Sequence, residues 1–308
     1  MTNAVVLKHI FQVKKDQARQ RIDKFLVERL SRDFSRMDIK KIMQEQHVRV
    51  NGKIVKPHYL INEKDLIEIL IHEKIKLPDT VPAVNMGLDI IFEDEYLVVV
   101  NKPAGMVVHP AAGHYDDTLV NGLLFHTKML SDVNGPFKPG IVHRLDKDTS
   151  GVIVVAKDNK THRFLAEQFR QHLVKKVYIA VVSGSVEYDE GIIEAPLSRS
   201  PFDRKKITVQ YSSPRQAVTY YRVLKRTGDF SIVEVHPKTG RTHQIRVHMA
   251  HLGHPLLGDT VYGKKNSQGL IQRQALHAKL LAFKHPASGS LVEYAADIPE
   301  DMRRIIGF

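Results

Sequence analysis

The sequence predicts an α+β protein in which a mixed, mostly antiparallel sheet is flanked by helices and preceded by a small module of helices and strands. Strand-like runs outnumber helical patterns after residue 87. Short polar turns such as Thr227-Gly-Asp229 join neighbouring runs, which favours hairpins over parallel crossovers. Pro78 and Pro82 interrupt regular structure and separate the two parts of the chain.

Residues 1–75 are predicted to form the first domain, and residues 76–87 a linker. Two helical patterns come first, followed by a hairpin at the Asn51-Gly52 turn, a strong hairpin signal. The apolar residues at helical spacing are Ile22, Phe25, Leu26 and Leu30, and then Ile39, Ile42 and Met43.

Residues 88–308 are predicted to form the second domain, in which strands predominate. The predicted strands are Asp89–Phe92, Tyr96–Asn101, Gly151–Ala156, Val174–Ser183, Ala217–Lys225, Phe230–His236, Leu276–Phe283 and Leu291–Ala295. Helical spacing appears mainly at Asp158–His172 and Thr242–Leu252.

Composition and charge narrow the functional class. The 308 residues include 43% hydrophobic and 26% charged residues and no cysteine, which argues against a disordered chain and excludes disulfide and thiolate chemistry. The net charge of +12 favours a polyanionic partner, with nucleic acid ahead of an anionic membrane. No apolar run approaches the roughly 18 residues of a membrane span, so we expect a soluble, cytoplasmic protein.

A polar loop at residues 138–149 leads directly into a predicted strand, a common position for catalytic groups. Its aspartates, Asp146 and Asp148, have two interpretations. They are candidate catalytic carboxylates, but aspartate also forms turns by bonding to its own backbone. From the residues alone both interpretations stay open.

A second segment, residues 237–254, predicts a helix that begins with Thr242 as its N-cap and stops at Gly253. Arg241 then lies at the helix entrance, where a cation opposes the helix dipole. Either solvent screens Arg241, or it pairs with a carboxylate or a phosphate. The histidines of this segment have poor spacing for a metal site, and hydrogen-bonding or RNA-facing roles are favoured for His243, His248, His251 and His254.

The run His143-Arg-Leu-Asp-Lys-Asp-Thr-Ser-Gly151 closely resembles the signature of the RluA/RluD family of RNA pseudouridine synthases. The resemblance covers residues 88–308 and continues through segments 93–109, 176–180, 239–248, 253–259 and 276–278. It implies a pseudouridine synthase fold and an isomerisation in which the ribose of uridine moves from ring nitrogen N1 to ring carbon C5. It implies no metal and no organic cofactor.

By match of motif, the resemblance implies that Asp146 is the nucleophile and that Arg241 is its salt-bridge partner. Tyr178, which by itself suits a mid-strand packing role, would lie against the target base and is a candidate proton carrier. Arg144, with His143 beside it, would contact RNA and help to occupy the space left by the flipped nucleotide. A non-catalytic RNA-binding factor and a metal-dependent RNA hydrolase are the alternatives.

The front module resembles the small RNA-binding domain named after the fourth ribosomal small-subunit protein, through Arg21–Leu26 and Val48–Lys53. We therefore expect RNA as the partner, ribosomal or transfer RNA, no membrane, and a monomeric protein. The candidate RNA-binding residues of this module are the cations Arg21, Lys24, Arg36, Lys40, Lys41 and Arg49.

Overall fold

The chain divides into two units, Met1–Asp79 and Thr80–Phe308. The structure is a computed structural model that describes residues 6–30, 34, 36–72, 80–111, 113–203, 206–263 and 270–307. Within these ranges, the side chains of residues 6–8, 36–38, 41 and 70–72 are not described. No helix in the described ranges is long and apolar enough to cross a membrane.

The first unit contains a four-stranded sheet and two helices around one core. The helices are α1 (Ile22–Leu30) and α2 (Arg36–Gln44), and the strands are β1 (Val6–Gln12), β2 (Val48–Val50), β3 (Lys53–Ile54) and β4 (Leu66–His72). The strands lie in the order β1-β4-β2-β3. The predicted helices and hairpin are confirmed, and the apolar residues that predicted the helices are all buried in the core.

The second unit is built on one nine-stranded sheet. Its strands are β5 (Ile90–Glu93), β6 (Leu97–Lys102), β7 (Ser150–Ala156), β8 (Lys175–Ser183), β9 (Glu190–Glu194), β12 (Val218–Arg226), β13 (Phe230–Pro237), β14 (Leu276–Lys284) and β15 (Leu291–Ala295), while β10 (Leu197–Arg199) and β11 (Ile207–Val209) form a separate hairpin. Its helices are α3 (Leu119–His126), α4 (Asn159–Arg170), α5 (Gln244–His251) and α6 (Glu300–Ile306).

The order of the sheet is β5-β6-β7-β14-β8-β13-β12-β9, with β15 paired to β14. Among the described pairs, β7 and β14 run parallel and the others run antiparallel. The predicted mixed, mostly antiparallel sheet is therefore confirmed.

Strand β7 is apolar along its length because both of its faces are covered. Ile153 and Val155 pack in the same cluster as α3, whereas Val152 and Val154 pack with Leu165 of α4. The period of two in a strand sends alternate side chains to opposite cores. The polar loop before β7 is thereby anchored in the interior of the sheet.

Gly151 allows β7 to approach β14 closely. Its φ is 116°, and a Cβ at this position would lie 2.2 Å from the carbonyl oxygen of Ala278. Only glycine fits both the backbone conformation and the contact.

Helix α5 begins at Gln244 with His243 as its N-cap, one residue after the predicted N-cap Thr242. The backbone of His243 is left-handed, with φ 55°, and Thr242 makes no cap. The Gln244 side chain accepts from the Arg241 amide at 2.9 Å and donates to the Val218 carbonyl at 3.0 Å. These bonds tie the preceding loop to β12 and keep it outside the helix.

Candidate active site

A cavity of about 610 Å³ lies between the loop before β7, strand β8, and the loop that enters α5. Three secondary-structure elements distant in sequence meet here because β7, β14, β8 and β13 are successive neighbours in the sheet. The lining includes five residues predicted from the sequence, namely His143, Arg144, Asp146, Tyr178 and Arg241.

The carboxylate of Asp146 lies in the cavity wall with 20% of its side chain exposed. Its Oδ2 accepts a hydrogen bond from Arg246 Nη1 at 3.0 Å, and His243 Nε2 lies 3.8 Å from the same oxygen. Among the described residues, no hydrogen bond reaches Oδ1. One oxygen is therefore fixed by a cation while the other is available to a ligand.

The turn that contains Asp146 is closed by its backbone and not by its side chain. The amide of Thr149 donates to the Asp146 carbonyl at 3.1 Å. The side chain of Asp146 points instead to Arg246. The interpretation of Asp146 as a residue whose side chain stabilises the turn does not fit this geometry.

Arg246 is held in place by a second carboxylate. Its Nε and Nη2 donate to the two oxygens of Asp259 at 2.7 and 2.9 Å, in the bidentate geometry that orients a guanidinium. The Asp259 Oδ1 also accepts from the amides of Val261 and Tyr262. Burial would lower the pKa of Arg246, but the hydrogen bonds and charges of Asp259 and Asp146 raise it above its usual range.

The prediction that Arg241 forms the salt bridge with Asp146 is wrong. Arg241 is exposed, and its Nε donates to the Gln216 carbonyl at 3.2 Å. Because α5 begins only at Gln244, Arg241 lies on the loop before the helix, and Arg246 on the first turn faces the carboxylate. Sequence reasoning missed Arg246 and Asp259, although the second motif contains Arg246 and the segment 253–259 ends at Asp259.

Two cations, the buried Lys102 and the half-buried Arg273, fix the backbone of the loop directly after Asp146. Lys102 donates to the carbonyls of Pro103, Met106 and Lys147 at 2.7, 2.8 and 2.9 Å. Burial lowers the pKa of Lys102 to about 7, and the three acceptors match the three donors of the protonated amine.

Arg273 makes the second set of contacts. Its Nη1 donates to the Asp148 carbonyl at 3.0 Å, and its Nε and Nη2 pair with Asp301 of α6. Lys102 at the end of β6 and Arg273 before β14 therefore hold the carbonyls of residues 147 and 148, which directly follow Asp146. Neither cation was singled out from the sequence, because both act through backbone contacts that only the fold reveals.

Tyr178 forms an apolar wall of the cavity. It is partly buried and packs against two hydrophobic clusters of the second unit. Burial, followed by the negative charge of Asp146, raises the pKa of Tyr178 above its usual range. The ring therefore carries a neutral phenol at physiological pH.

His143 and Arg144 differ in their suitability as RNA contacts. The His143 ring stacks on Phe169 with centroids 4.5 Å apart, and its Nε2 accepts from the Val154 amide at 3.0 Å. Burial, aided by Lys176, lowers the pKa of His143 to about 3, so the ring is a neutral acceptor. Arg144 is exposed at the cavity and keeps a free approach to solvent.

The four histidines of the α5 segment form hydrogen bonds with separate partners. Within the described part of the chain, no three histidine or carboxylate side chains are arranged to hold a metal ion. The ring of His243 contacts the hydroxyl of Tyr262, His248 contacts Thr219 and Ala195, His251 contacts Tyr211, and His254 contacts Ser183.

The candidate RNA-binding cations of the first unit lie on α1, α2 and β2 or next to them. Arg21, Lys24, Lys40 and Arg49 are exposed, and Arg21 also pairs with Asp23 at 2.7 Å. The side chains of Arg36 and Lys41 lie outside the described part of the structure.

Comparison with known proteins supports one family. The RNA pseudouridylate synthase family matches residues 96–251, and the S4 domain family matches residues 20–67. An uncharacterised RNA pseudouridine synthase of Bacillus subtilis is 46% identical over 291 residues, covering 94% of each chain. Ribosomal large subunit pseudouridine synthase D of Zymomonas mobilis is 45% identical over 298 residues, covering 92% of each chain.

Solved structures agree with this assignment. Human RNA pseudouridylate synthase domain containing 1 superposes with a TM-score of 0.58 at 26% identity, covering 70% of this chain and 85% of that one. The relatives that match over nearly the full chain, and the match to the synthase family over half of it, make this protein a member of the RluA-type RNA pseudouridine synthase family with an N-terminal S4 domain.

Proposed function

We propose that this synthase isomerises specific uridines of large-subunit ribosomal RNA, with Asp146 as its nucleophile. The observation that carries the site assignment is the pair of Asp146 and Arg246 beside the neutral ring of Tyr178 in one cavity. The substrate assignment draws support from the relative in Zymomonas mobilis, whose name specifies the large ribosomal subunit.

The reaction rearranges uridine without a net change in its atoms. The bond between ribose C1′ and ring N1 breaks, a bond between C1′ and ring C5 forms, and the C5 proton is released to solvent while N1 gains one. An oxygen of Asp146 attacks either C1′ of the ribose or C6 of the base and leaves again before the product departs. Arg246 binds Oδ2, so Oδ1, which accepts no hydrogen bond from the described residues, would be the attacking oxygen, and the bond to Arg246 would restrict its orientation.

The base must leave its stack to reach this carboxylate, because a paired uridine does not present C1′ or C6 to a cavity. The ring of Tyr178 offers a face against which the flipped uracil can rest while it rotates. Its raised pKa disfavours a phenolate, so Tyr178 would hold a proton at its hydroxyl rather than act as a strong base. Exposed Arg144 would occupy the space that the nucleotide leaves.

The test of the substrate is a comparison of RNA from cells with and without the gene. Pseudouridine mapping of total RNA should show one or more sites lost from large-subunit ribosomal RNA and regained with the intact gene. Loss confined to transfer RNA would overturn the ribosomal assignment and leave the synthase activity intact. In vitro, the purified protein should release tritium from a large-subunit transcript labelled at C5 of uridine.

A further inference from the structure

Lys176 lines the cavity but has no part in the chemistry derived above. It lies on β8 two residues before Tyr178, so both side chains are on the same face, about 6.8 Å apart along the strand. Both residues contribute to the cavity wall. The amine of Lys176 donates to the carbonyl of Thr239 at 3.2 Å.

The surroundings of Lys176 leave its charge uncompensated. An ammonium group has three donors, and the described residues supply one acceptor. No carboxylate of the described residues lies within ion-pair distance of Lys176, and the neighbouring His143 is neutral. Burial, with the positive charge of Lys238, lowers the pKa of Lys176 to about 8, so it is still charged at neutral pH.

A half-buried cation whose remaining donors face an open cavity favours a ligand that supplies an anion, because a charge-assisted hydrogen bond is stronger than a neutral one. Of the parts of a uridine nucleotide, ribose and uracil are neutral and the phosphodiester alone is anionic. Asp146 is already paired with Arg246, so the nucleophile does not need this second cation.

We propose that Lys176 binds a phosphodiester of the flipped nucleotide inside the cavity. This inference rests on the proposed function, because it assumes that RNA enters here. The uracil would lie against Tyr178, and the backbone of the same nucleotide, several ångströms from its base, would reach Lys176 along the strand. Lys176 is then a positioning residue, which holds the nucleotide and leaves the bond changes to Asp146.

The experiment compares Lys176→Met with Lys176→Arg, which keeps the charge, in the full chain. Lys176→Gln is measured in parallel, because it keeps a donor for the Thr239 carbonyl without the charge. Lys175→Met is the matched control, since Lys175 is exposed on the other face of β8, 3.6 Å from Glu293. The probe is an unmodified large-subunit ribosomal RNA transcript, tritiated at C5 of uridine.

We expect Lys176→Met and Lys176→Gln to weaken binding of the transcript by about tenfold or more, as for loss of a charged hydrogen bond. The slope of log affinity against log salt should become shallower by about 0.7 to 0.9, the value for one phosphate contact. The single-turnover rate at saturating RNA should change by less than about threefold. Lys176→Arg and Lys175→Met should match the wild type in slope.

An unchanged salt slope in Lys176→Met and Lys176→Gln would overturn the proposal, because it would mean that Lys176 contacts no phosphate of the RNA. The proposal also fails if the rate at saturation falls while affinity holds, or if Lys175→Met lowers the slope equally. The binding measurement needs no turnover. If the wild type binds the transcript but releases no tritium, the proposed substrate fails, and the slope still decides whether Lys176 contacts phosphate.

Discussion

The carboxylate of Asp146 is the group whose chemistry can be separated most cleanly from its structural role. Its side chain makes no bond to the turn in which it lies, and Arg246 contacts a single oxygen. Asparagine at this position keeps an acceptor for Arg246 and removes the charge and the nucleophilic oxygen.

We expect Asp146→Asn to lower single-turnover tritium release by several orders of magnitude. RNA affinity should hold or rise slightly, because one negative charge that faces a polyanion is gone. Filter binding measures the RNA affinity, and quenched time courses of tritium release from the same transcript measure the single-turnover rate. Substantial isomerase activity in this variant would refute the nucleophile assignment.

The two arginines of the α5 segment provide a matched pair. Arg246→Ala should lower the single-turnover rate by about a hundredfold or more, because Asp146 loses the group that orients it. Arg241→Ala should have a much smaller effect on the rate at saturating RNA, because among the described residues the Arg241 side chain bonds only to the Gln216 carbonyl. Equal losses in both variants would show that Arg241 also reaches the reacting groups.

Arg246→Ala also leaves Asp259 buried without its partner, so the folding of this variant needs its own control. Arg246→Lys keeps a cation near both carboxylates but lacks the bidentate fork. Its melting temperature should be closer to that of the wild type, while its rate stays low. This result would separate orientation of Asp146 from simple loss of stability.

His277 links β14 to β7 and makes the stability of the larger unit depend on pH. It is buried, and its Nδ1 accepts from Ser150 Oγ at 2.9 Å. Burial lowers the pKa of His277 to about 4, against about 6.5 in an unfolded chain. Between these values the unfolded chain takes up a proton that the folded chain refuses, so stability falls as pH falls through 6.5 toward 4.

We therefore expect His277→Gln to have a lower free energy of unfolding at pH 7 but a weaker dependence on acid. The slope between pH 6 and 4.5 should drop by up to about 1.4 kcal/mol per pH unit relative to the wild type. Urea unfolding at a series of pH values measures this slope. The control is His251→Gln, which replaces an exposed histidine. Parallel slopes for wild type and His277→Gln would contradict this linkage.

At the scale of elements, the sequence predicts best where one pattern is strong. The continuous apolar run of β7 and the helical stripe of α4 were both identified. Burial on both faces of a strand leaves an unbroken apolar run, and burial of one helix face leaves apolar residues at helical spacing. Strand β9 was missed because it pairs only at the edge of the sheet and carries glutamates at both ends. Helix α3 was missed because its apolar residues show no clear helical period.

The start of α5 shows how an element boundary determines a site. The motif contains Arg241 and Arg246, and a helix from Thr242 places the first at its entrance. The side chain of Gln244 fixes the true boundary through contacts with β12, a strand far away in sequence. Local patterns do not contain such a contact, so the motif could be located from the sequence but the salt-bridge partner could not.

The parallel contact of β7 with β14 is a second feature that a single position controls. We expect Gly151→Ala to lower the free energy of unfolding by about 2 kcal/mol or more, because a Cβ would meet the Ala278 carbonyl and the backbone is left-handed. The polar loop that carries Asp146 ends at this junction, so the rate should fall as well. Gly240→Ala, where a Cβ meets open space, is the control for stability.

At the scale of the whole molecule, the two units have separate hydrophobic cores. The core of the first unit extends from Val13 to Ile69, and the clusters of the second begin at Val81. The S4 family match falls within the first unit and the synthase match within the second. The net charge of +12 is spread over both parts of the chain.

A chain of residues 80–308 should therefore fold alone and keep the cavity with Asp146, Arg246 and Tyr178. Its affinity for the transcript should be weaker, and its salt slope shallower by about 0.7 to 0.9 for each phosphate that the S4 domain neutralises. A full-length triple variant, Lys24→Ala, Lys40→Ala and Arg49→Ala, should reproduce part of this change without truncation.

If the shortened chain keeps the wild-type slope, the S4 domain does not touch this RNA, and recognition resides in the synthase unit. If the slope falls but the rate at saturating RNA does not, the S4 domain acts by capture of RNA, and the chemistry belongs wholly to residues 80–308.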